Sequence, residues 1–238
     1  MSQLKVAAIV GVGKGLGNAI AHRFAREGFS VGLIARNAKT LANIQSDLEN
    51  FGSKALSVTA DVTDPVSLAA ALDLIKLELA PPDILVYNAG IFKVNGILEL
   101  SPEEFEYCWK VNCFGAFVAT QQVLPAMQER GKGTILLTGA TASLRGSARF
   151  SALAVGKFGL RALAQSLARE FGNQGIHVAH IVIDGMINTP NIRELFPQVE
   201  EDNLLSPDAI AETYWHLYKQ DPSAWTLEMD IRPAVEKF

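Results

Sequence analysis

The sequence has few cysteines, no run of basic residues and no long apolar segment. Its two cysteines, Cys108 and Cys113, fall in one predicted helix, and we expect core thiols in a reducing, cytoplasmic location rather than a disulfide framework. The formal net charge is −4, which argues against a nucleic-acid partner. No apolar run approaches the ~20 residues of a membrane span, so no membrane association is expected.

No leader, linker or internal repeat is apparent. Residues 1–5 (Met-Ser-Gln-Leu-Lys) run directly into the first apolar segment, which predicts that there is no signal peptide. Hydrophobic residues make up 49% of the sequence and charged residues 19%, a balance typical of globular proteins and not of disordered ones. Because the composition does not change along the chain, we predict a single domain over 1–238.

What the sequence does contain is a glycine-rich turn between a buried strand and a helix. Residues 6–10 are short and apolar, as in a parallel strand buried on both faces. Glycine lets a backbone approach a phosphate closely, and the free N–H groups of a helix start face it. The pattern therefore predicts an anion site, with a tight turn that binds nothing as the alternative. The residues of this turn are Gly11, Gly13, Lys14, Gly15, Leu16 and Gly17.

Strands and helices alternate along the chain. Such alternation requires a parallel sheet with right-handed crossovers, covered by helices on both faces. The sequence therefore predicts an α/β fold, a Rossmann-type doubly wound parallel sheet of about seven strands, with ligands at the carboxyl ends of the strands. Further strands are predicted at 30–35, 54–59, 84–87, 134–138, 176–183 and near 225–230, and helices at 40–50, from 65, over 101–130, around 160–171 and near 207–219.

Two cations lie where a dinucleotide would place its adenosine ribose. After the second strand, a cofactor with a free 2′-hydroxyl requires an acidic residue, but the chain has Arg36 there. Lys14 adds a positive charge in the glycine turn. Either could be an ordinary surface cation. Together they favour a 2′-phosphate and hence NADP(H), with NAD(H) as the alternative.

A series of short motifs resembles the short-chain dehydrogenase/reductase family in its order along nearly the whole chain. The motifs are Gly11-x-x-x-Gly15-x-Gly17, Asp61-Val62, Asn88-Ala89-Gly90, Lys110-Val111-Asn112, Lys157 in a long helix, and Asp-Gly-Met-Ile-Asn-Thr-Pro over 184–190. The resemblance implies one dinucleotide-binding domain and oxidoreductase activity on a small molecule that the sequence does not identify.

On the adenosine side, the resemblance assigns contacts to two motifs. Asp61 and Val62 would hold the adenine. Asn88, Ala89 and Gly90 would line the adenosine ribose and the central sheet.

On the nicotinamide side, the resemblance assigns contacts to the long helix and to the segment after the sixth strand. Lys157 would bind the nicotinamide ribose hydroxyls. Ile187 and Thr189 would contact the carboxamide, with Gly185 in the same segment.

The catalytic positions depart from the family pattern. The family's chemistry uses a tyrosine four residues before the lysine, with a serine thirteen residues earlier, to protonate or deprotonate the substrate oxygen. In this sequence Leu153 occupies the tyrosine position and Ala140 the serine position. Lys157 remains, as does Asn112, which matches the asparagine that supports the lysine's water chain. No tyrosine occurs between residues 108 and 213, so a shifted register does not restore one.

Other side chains near these positions are candidate substitutes. Thr141 and Ser143 follow the vacant serine position and could hydrogen-bond a substrate, with bonds to the local backbone as the alternative. Phe92, Phe150 and Leu153 predict an apolar cleft. No metal-ligating pattern is present in the sequence.

Two classes of function remain open from the sequence. One is an NADP(H)-dependent oxidoreductase that uses another proton donor, such as water or a substrate group. The other is a cofactor-binding sensor, scaffold or partner protein without turnover, a pseudoenzyme. The family resemblance favours the first, and Leu153 with Ala140 favours the second. The resemblance also predicts a homodimer or homotetramer that pairs through the helices at 101–130 and 153–172.

Overall fold

A computed structural model of the protein describes residues 4–236. Residues 1–3, on which the signal-peptide prediction partly rests, lie outside the described residues. The strands, in chain order, are β1 (Val6–Val10), β2 (Ser30–Ala35), β3 (Ala55–Thr59), β4 (Ile84–Tyr87), β5 (Gly133–Thr138), β6 (Ile176–Ile183), β7 (Met186–Ile187), β8 (Leu204–Leu205) and β9 (Glu228–Ile231). Seven of them form one parallel sheet in the order β3-β2-β1-β4-β5-β6-β9, and β7 pairs with β8.

Helices cover both faces of this sheet. In chain order they are α1 (Leu16–Arg26), α2 (Ala38–Asn50), α3 (Pro65–Glu78), α4 (Pro102–Trp109), α5 (Gly115–Arg130), α6 (Ser151–Phe171), α7 (Pro190–Leu195) and α8 (Pro207–Lys219). One core cluster lies between the sheet and α1, α2 and α8, and a second lies between the sheet and α3, α5 and α6. The predicted doubly wound α/β fold is confirmed.

The central strand β1 explains where a ligand can enter. Its side chains alternate between the two cores, with Ala8 and Val10 in one and Ala7 and Ile9 in the other, and all four are buried. β1 pairs with β2 on one side and with β4 on the other. The strand order therefore reverses at β1, and a crevice opens beyond its carboxyl end.

The long helix predicted over 101–130 is interrupted. It consists of α4, a π-helical segment at Lys110–Phe114, and α5. The π turn widens the helix, and Asn112 Nδ2 donates to the Cys108 carbonyl oxygen at 3.0 Å. π turns of this kind frequently lie at functional sites. The sequence pattern missed the break because the local apolar spacing continues through it.

The two cysteines were predicted to share one helix as core thiols, and this is only half right. Cys108 lies in α4 and is buried, whereas Cys113 lies in the π segment and is half-buried. Both thiols are free. A Cβ on Gly159 would lie 2.9 Å from Cys113 Sγ, so α6 packs against this segment at a residue without a side chain.

The segment between β6 and α8 contains structure that was not predicted. β7 pairs with β8, and α7 follows a cap in which Thr189 Oγ1 accepts from the Ile192 N–H at 3.3 Å. A two-residue strand has no periodicity to detect, and its partner is remote in sequence. Among the described residues, no helix combines the length and apolar character needed to cross a membrane.

Candidate cofactor and substrate site

The glycine turn is held in a crevice of backbone. Gly11 has a φ of +95°, and a Cβ there would lie 2.2 Å from the Ala89 nitrogen. Asn88 Nδ2 donates to the Gly11 carbonyl oxygen at 2.9 Å. A Cβ on Gly17 would lie 2.6 Å from that same oxygen. Neither position therefore has room for a side chain. Their close backbone contacts and the Asn88 hydrogen bond connect the turn to the residues that follow β4.

The start of α1 is left open toward the crevice. Leu16 begins the helix, and in residues 4–236 no side chain caps it and no acidic residue occupies its first turn. A Cβ on Gly13 would meet no atom within 4 Å, so the space in front of the turn is free. Uncapped N–H groups beside open space suit an anion such as a dinucleotide pyrophosphate. A Cβ on Gly15 would lie 2.5 Å from Thr189 Cγ2, which places Thr189 beside this turn.

A first cavity of about 670 Å³ extends from this turn along the carboxyl ends of β1, β2 and β4. This volume is typical of small-molecule sites. Of the predicted cofactor residues, the cavity brings together Gly11, Gly13, Arg36, Asp61, Val62, Asn88, Ala89 and Gly90. The residues present fit a dinucleotide, because the first half of the glycine turn lines the cavity and the uncapped start of α1 follows it directly in the chain, although Gly15, Leu16 and Gly17 lie outside the lining. Lys14 is exposed and lies outside the cavity lining.

Tyr107 also lines this cavity, and the sequence did not single it out. Arg36 Nη1 donates to Tyr107 Oη at 2.6 Å. Seventy-one positions separate the two residues in the chain, so local spacing carries no signal for the pair.

Lys157 and Asn112 lie together beneath Gly90. A Cβ on Gly90 would lie 3.4 Å from Asn112 Oδ1 and 3.6 Å from Lys157 Nζ. Asn112 is buried, and its Nδ2 also donates to the Ile91 carbonyl oxygen at 3.1 Å. Lys157 Nζ donates to the Thr138 carbonyl oxygen at 2.7 Å. Burial lowers the pKa of Lys157 to about 8, since the charged ammonium is desolvated there.

A second cavity, of about 720 Å³, contains the two vacant catalytic positions. Ala140 and Leu153 both line it. Leu153 is 8% exposed and belongs to a small apolar cluster with Ala140 and Phe150. Phe92 lines the same cavity and meets Phe150 edge to face. The predicted apolar cleft is therefore present.

Thr141 and Ser143, the candidate replacements for the missing proton donor, differ in whether they reach the second cavity. Thr141 lines the second cavity, and its hydroxyl donates to Asp184 Oδ1. Asp184 is buried, and its other oxygen lies 3.6 Å from Arg232 Nη1. Ser143 is fully buried and outside the cavity lining, and its oxygen accepts from the Ala140 N–H at 3.1 Å. The Thr141 proton is thus directed away from the cleft.

Of the three residues predicted in the segment after β6, one lines the second cavity, and Ile187 and Thr189 line neither cavity. Gly185 lines the second cavity and not the first. Ile187 lies in β7, in register with Leu205. Thr189 caps α7 and lies beside Gly15. In the described part of the chain, no three His, Cys, Asp or Glu side chains cluster as metal ligands would.

Comparison with known proteins identifies the family. The family model described as short chain dehydrogenase matches residues 5–200. The chain belongs to this family. Among curated proteins, a short-chain dehydrogenase/reductase of Armillaria gallica is 33% identical over 193 residues, which are 80% of this chain and 74% of that protein. A 3-dehydrosphinganine reductase of Arabidopsis thaliana is 35% identical over 71% of this chain, and the match spans about half (51%) of its length.

Solved structures of short-chain dehydrogenases have the same fold. One from Rhodopseudomonas palustris is 37% identical with a TM-score of 0.84, covering 96% of this chain and 98% of that one. An alcohol dehydrogenase from Thermococcus sibiricus, complexed with 5-hydroxy-NADP, is 25% identical with a TM-score of 0.88, covering 99% of both chains. This short-chain dehydrogenase is therefore of the NAD(P)-dependent oxidoreductase type.

Proposed function

We propose that this short-chain dehydrogenase is an NADP(H)-dependent oxidoreductase whose active site lacks the usual proton donor and reduces simple ketones poorly. The observation that carries the proposal is the apolar wall of the second cavity, where Ala140 and Leu153 stand at the family's serine and tyrosine positions. Hydride transfer builds negative charge on a carbonyl oxygen, and such a wall leaves that charge unpaired.

The cofactor assignment rests on Arg36 and on the open glycine turn. Arg36 lines the first cavity at the end of β2, where an acidic residue would favour NAD(H). The Thermococcus sibiricus neighbour carries an NADP derivative, which supports the same choice. Lys14 contributes positive charge nearby, and the remaining predicted residues hold the adenine, ribose and nicotinamide as the resemblance implies.

NADP(H) supplies or accepts the hydride when bound. Lys157 and Asn112, the retained catalytic-site residues, then bind and orient the cofactor but do not protonate the substrate oxygen. Lys157 is outside the lining of the second cavity, and its ammonium donates to the Thr138 carbonyl oxygen. A substrate oxygen beside Ala140 and Leu153 receives no proton from those two positions, and it relies on water, on a group of its own or on another polar side chain of the lining such as Ser147. General acid catalysis is worth typically ~10²–10⁴-fold, so its loss slows the reaction without abolishing it.

A non-catalytic role is the second candidate. It is favoured by the packing of Leu153 against Ala140 and Phe150, which surrounds the two catalytic positions with apolar side chains and places no donor there. In that case the protein acts as an NADP(H)-binding sensor, scaffold or partner.

One experiment separates these candidates. NADPH and NADH are titrated by calorimetry, and the protein is then assayed with a panel of carbonyls and alcohols. Tighter binding of NADPH with slow turnover of a substrate supports the oxidoreductase. Tight binding without turnover on any substrate supports the non-catalytic role. Equal affinities for the two nucleotides contradict the NADP(H) assignment.

We further propose a cytoplasmic homodimer or homotetramer, consistent with the two free thiols. Phe117 on α5 and Val155 and Phe158 on α6 are each more than 40% exposed, and such apolar side chains suit helix-to-helix contact. Light scattering at micromolar concentration is expected to give twice or four times the chain mass, and a monomer alone would contradict the assembly.

A further inference from the structure

We infer that Tyr107 is a second ligand of the cofactor 2′-phosphate, acting together with Arg36. The inference rests on the proposed NADP(H) function and extends it to a residue that neither motif nor spacing indicates.

The two side chains come from different elements of the fold and meet in the lining of the first cavity. Arg36 follows β2, whereas Tyr107 lies on α4, and both belong to the cavity lining. Their contact is a hydrogen bond of 2.6 Å from Arg36 Nη1 to Tyr107 Oη. The ring of Tyr107 is half-buried and packs against the core cluster that includes α3 and α5, which places its hydroxyl beside Arg36 in the cavity wall.

The direction of this hydrogen bond leaves a donor free. A guanidinium only donates, so Tyr107 Oη is the acceptor, and its own proton remains available. Among the described residues, neither that proton nor the Arg36 guanidinium is engaged by a carboxylate. A phosphate is an acceptor with charge −2 near neutral pH, and it can receive bonds from both groups at once.

Lys14 is the other cation near this cavity, and its geometry differs. It is exposed, lies outside the lining, and makes no hydrogen bond or ion pair within the described part of the chain. An exposed ammonium acts mainly through charge that salt screens, whereas a phenol hydroxyl acts through a short hydrogen bond. The two contributions therefore respond differently to salt.

Tyr107→Phe tests the inference, because it removes the hydroxyl and keeps the ring. The probes are 2′,5′-ADP and 5′-AMP, which differ only in the 2′-phosphate, and the readout is their dissociation constant by calorimetry. We expect Tyr107→Phe to raise the dissociation constant of 2′,5′-ADP by about 10-fold, the usual size of a hydrogen bond to a charged group. The dissociation constant of 5′-AMP should rise by less than about twofold. Tyr218→Phe, on α8 in the other core cluster, is the matched control and should change neither.

Salt and a double variant separate the Tyr107 hydroxyl from the surrounding charge. At about 0.5 M salt, where charges are screened beyond a few ångströms, the Tyr107→Phe effect should persist while that of Lys14→Gln disappears. Combined with Arg36→Ala, Tyr107→Phe should add little further loss, because the two residues act as one unit. Unchanged 2′,5′-ADP binding in Tyr107→Phe, or equal weakening of both probes, overturns the inference. A parent protein that binds 2′,5′-ADP no better than 5′-AMP overturns the NADP(H) proposal as well.

Discussion

The two cavities at the carboxyl edge of the sheet are nearly equal in volume, about 670 and 720 Å³, but they are built differently. The first is lined by glycine backbone, by Asp61 and Asn88, and by the Arg36 and Tyr107 pair. The second is lined mainly by apolar side chains, Leu153 among them. The first cavity therefore surrounds a ligand with backbone, amide and charged groups, whereas the second presents an apolar wall at the two catalytic positions, although its lining also includes Arg145 and Ser147.

This difference has a physical cause in how each cavity is attached to the core. The first depends on positions where no side chain fits, such as Gly11 and Gly17, so a change there disturbs the sheet itself. The second depends on side chains at the surface of a cleft, where a leucine can replace a polar group. Burying a leucine stabilises a fold by about 1.5–3 kcal/mol. The positions that form the cofactor cavity therefore cannot change without disturbing the fold, whereas the side chains needed for proton transfer can.

The largest effect is expected where the first cavity joins the core. Gly11→Ala places a Cβ at 2.2 Å from the Ala89 nitrogen, at a φ of +95°. We expect the free energy of unfolding to fall by about 3–5 kcal/mol, from steric overlap and left-handed strain together. Gly13→Ala is the matched control, since its Cβ meets no atom within 4 Å. Urea denaturation of both variants measures the difference, and equal stabilities would contradict this account of the turn.

The fold and most of the first cavity could be predicted from the sequence. The bounds of β1, β2, β4 and β6 were predicted to the residue, and α8 was predicted near its observed place, because buried parallel strands read as short apolar runs and caps mark helix starts. Arg36 was predicted because it directly follows a strand whose end was clear.

The remaining features depend on contacts between distant parts of the chain. Tyr107 meets Arg36 across 71 positions, and Thr141 meets Asp184 across 43. Neither pair leaves a local pattern. The π segment at Lys110–Phe114 was missed for a related reason, since its apolar spacing continues that of the flanking helices.

The second cavity is tested by restoring the missing donor. Ala140→Ser with Leu153→Tyr is expected to raise turnover on a permissive diketone or quinone by ~10²-fold or more, the usual size of acid catalysis. Each single change should do less, because the two groups act as one unit. Turnover with NADPH is the measurement. Tyrosine is bulkier than leucine, so a thermal unfolding scan accompanies the assay.

Two outcomes would change the interpretation of that cavity. A folded, NADPH-binding double variant without any gain would mean that the cleft does not accept carbonyls, and the non-catalytic role would be favoured. A parent protein that already turns over quickly would direct the search for a donor to the Thr141 or Ser147 hydroxyl, both of which line the cavity, or to an ordered water, and not to the buried Ser143.

The next largest effect is expected on NADPH affinity, from removing the positive charge of Arg36 in the first cavity. Arg36→Ala removes the guanidinium at the end of β2 and should weaken NADPH binding by about 1.5–3 kcal/mol, the usual size of a charge-assisted hydrogen bond. NADH affinity should change little, because NADH has no 2′-phosphate. Calorimetry with both nucleotides measures the ratio. If both affinities fall together, Arg36 supports the cavity wall and does not discriminate between the nucleotides.

The smallest expected effect concerns the one hydroxyl that Thr141 presents at the second cavity. Thr141→Val keeps the shape and removes the donor to the buried Asp184. We expect the free energy of unfolding to fall by about 1 kcal/mol, at the low end for a buried acceptor that loses a partner, because Arg232 stays 3.6 Å from the same carboxylate. Thr141→Ser keeps the hydroxyl and should preserve stability. Residual turnover should stay within about twofold of the parent in both variants, since the Thr141 proton points to Asp184 and not to the cleft. A tenfold fall in turnover for Thr141→Val alone, with Thr141→Ser unaffected, would instead make this hydroxyl the proton donor of the cleft.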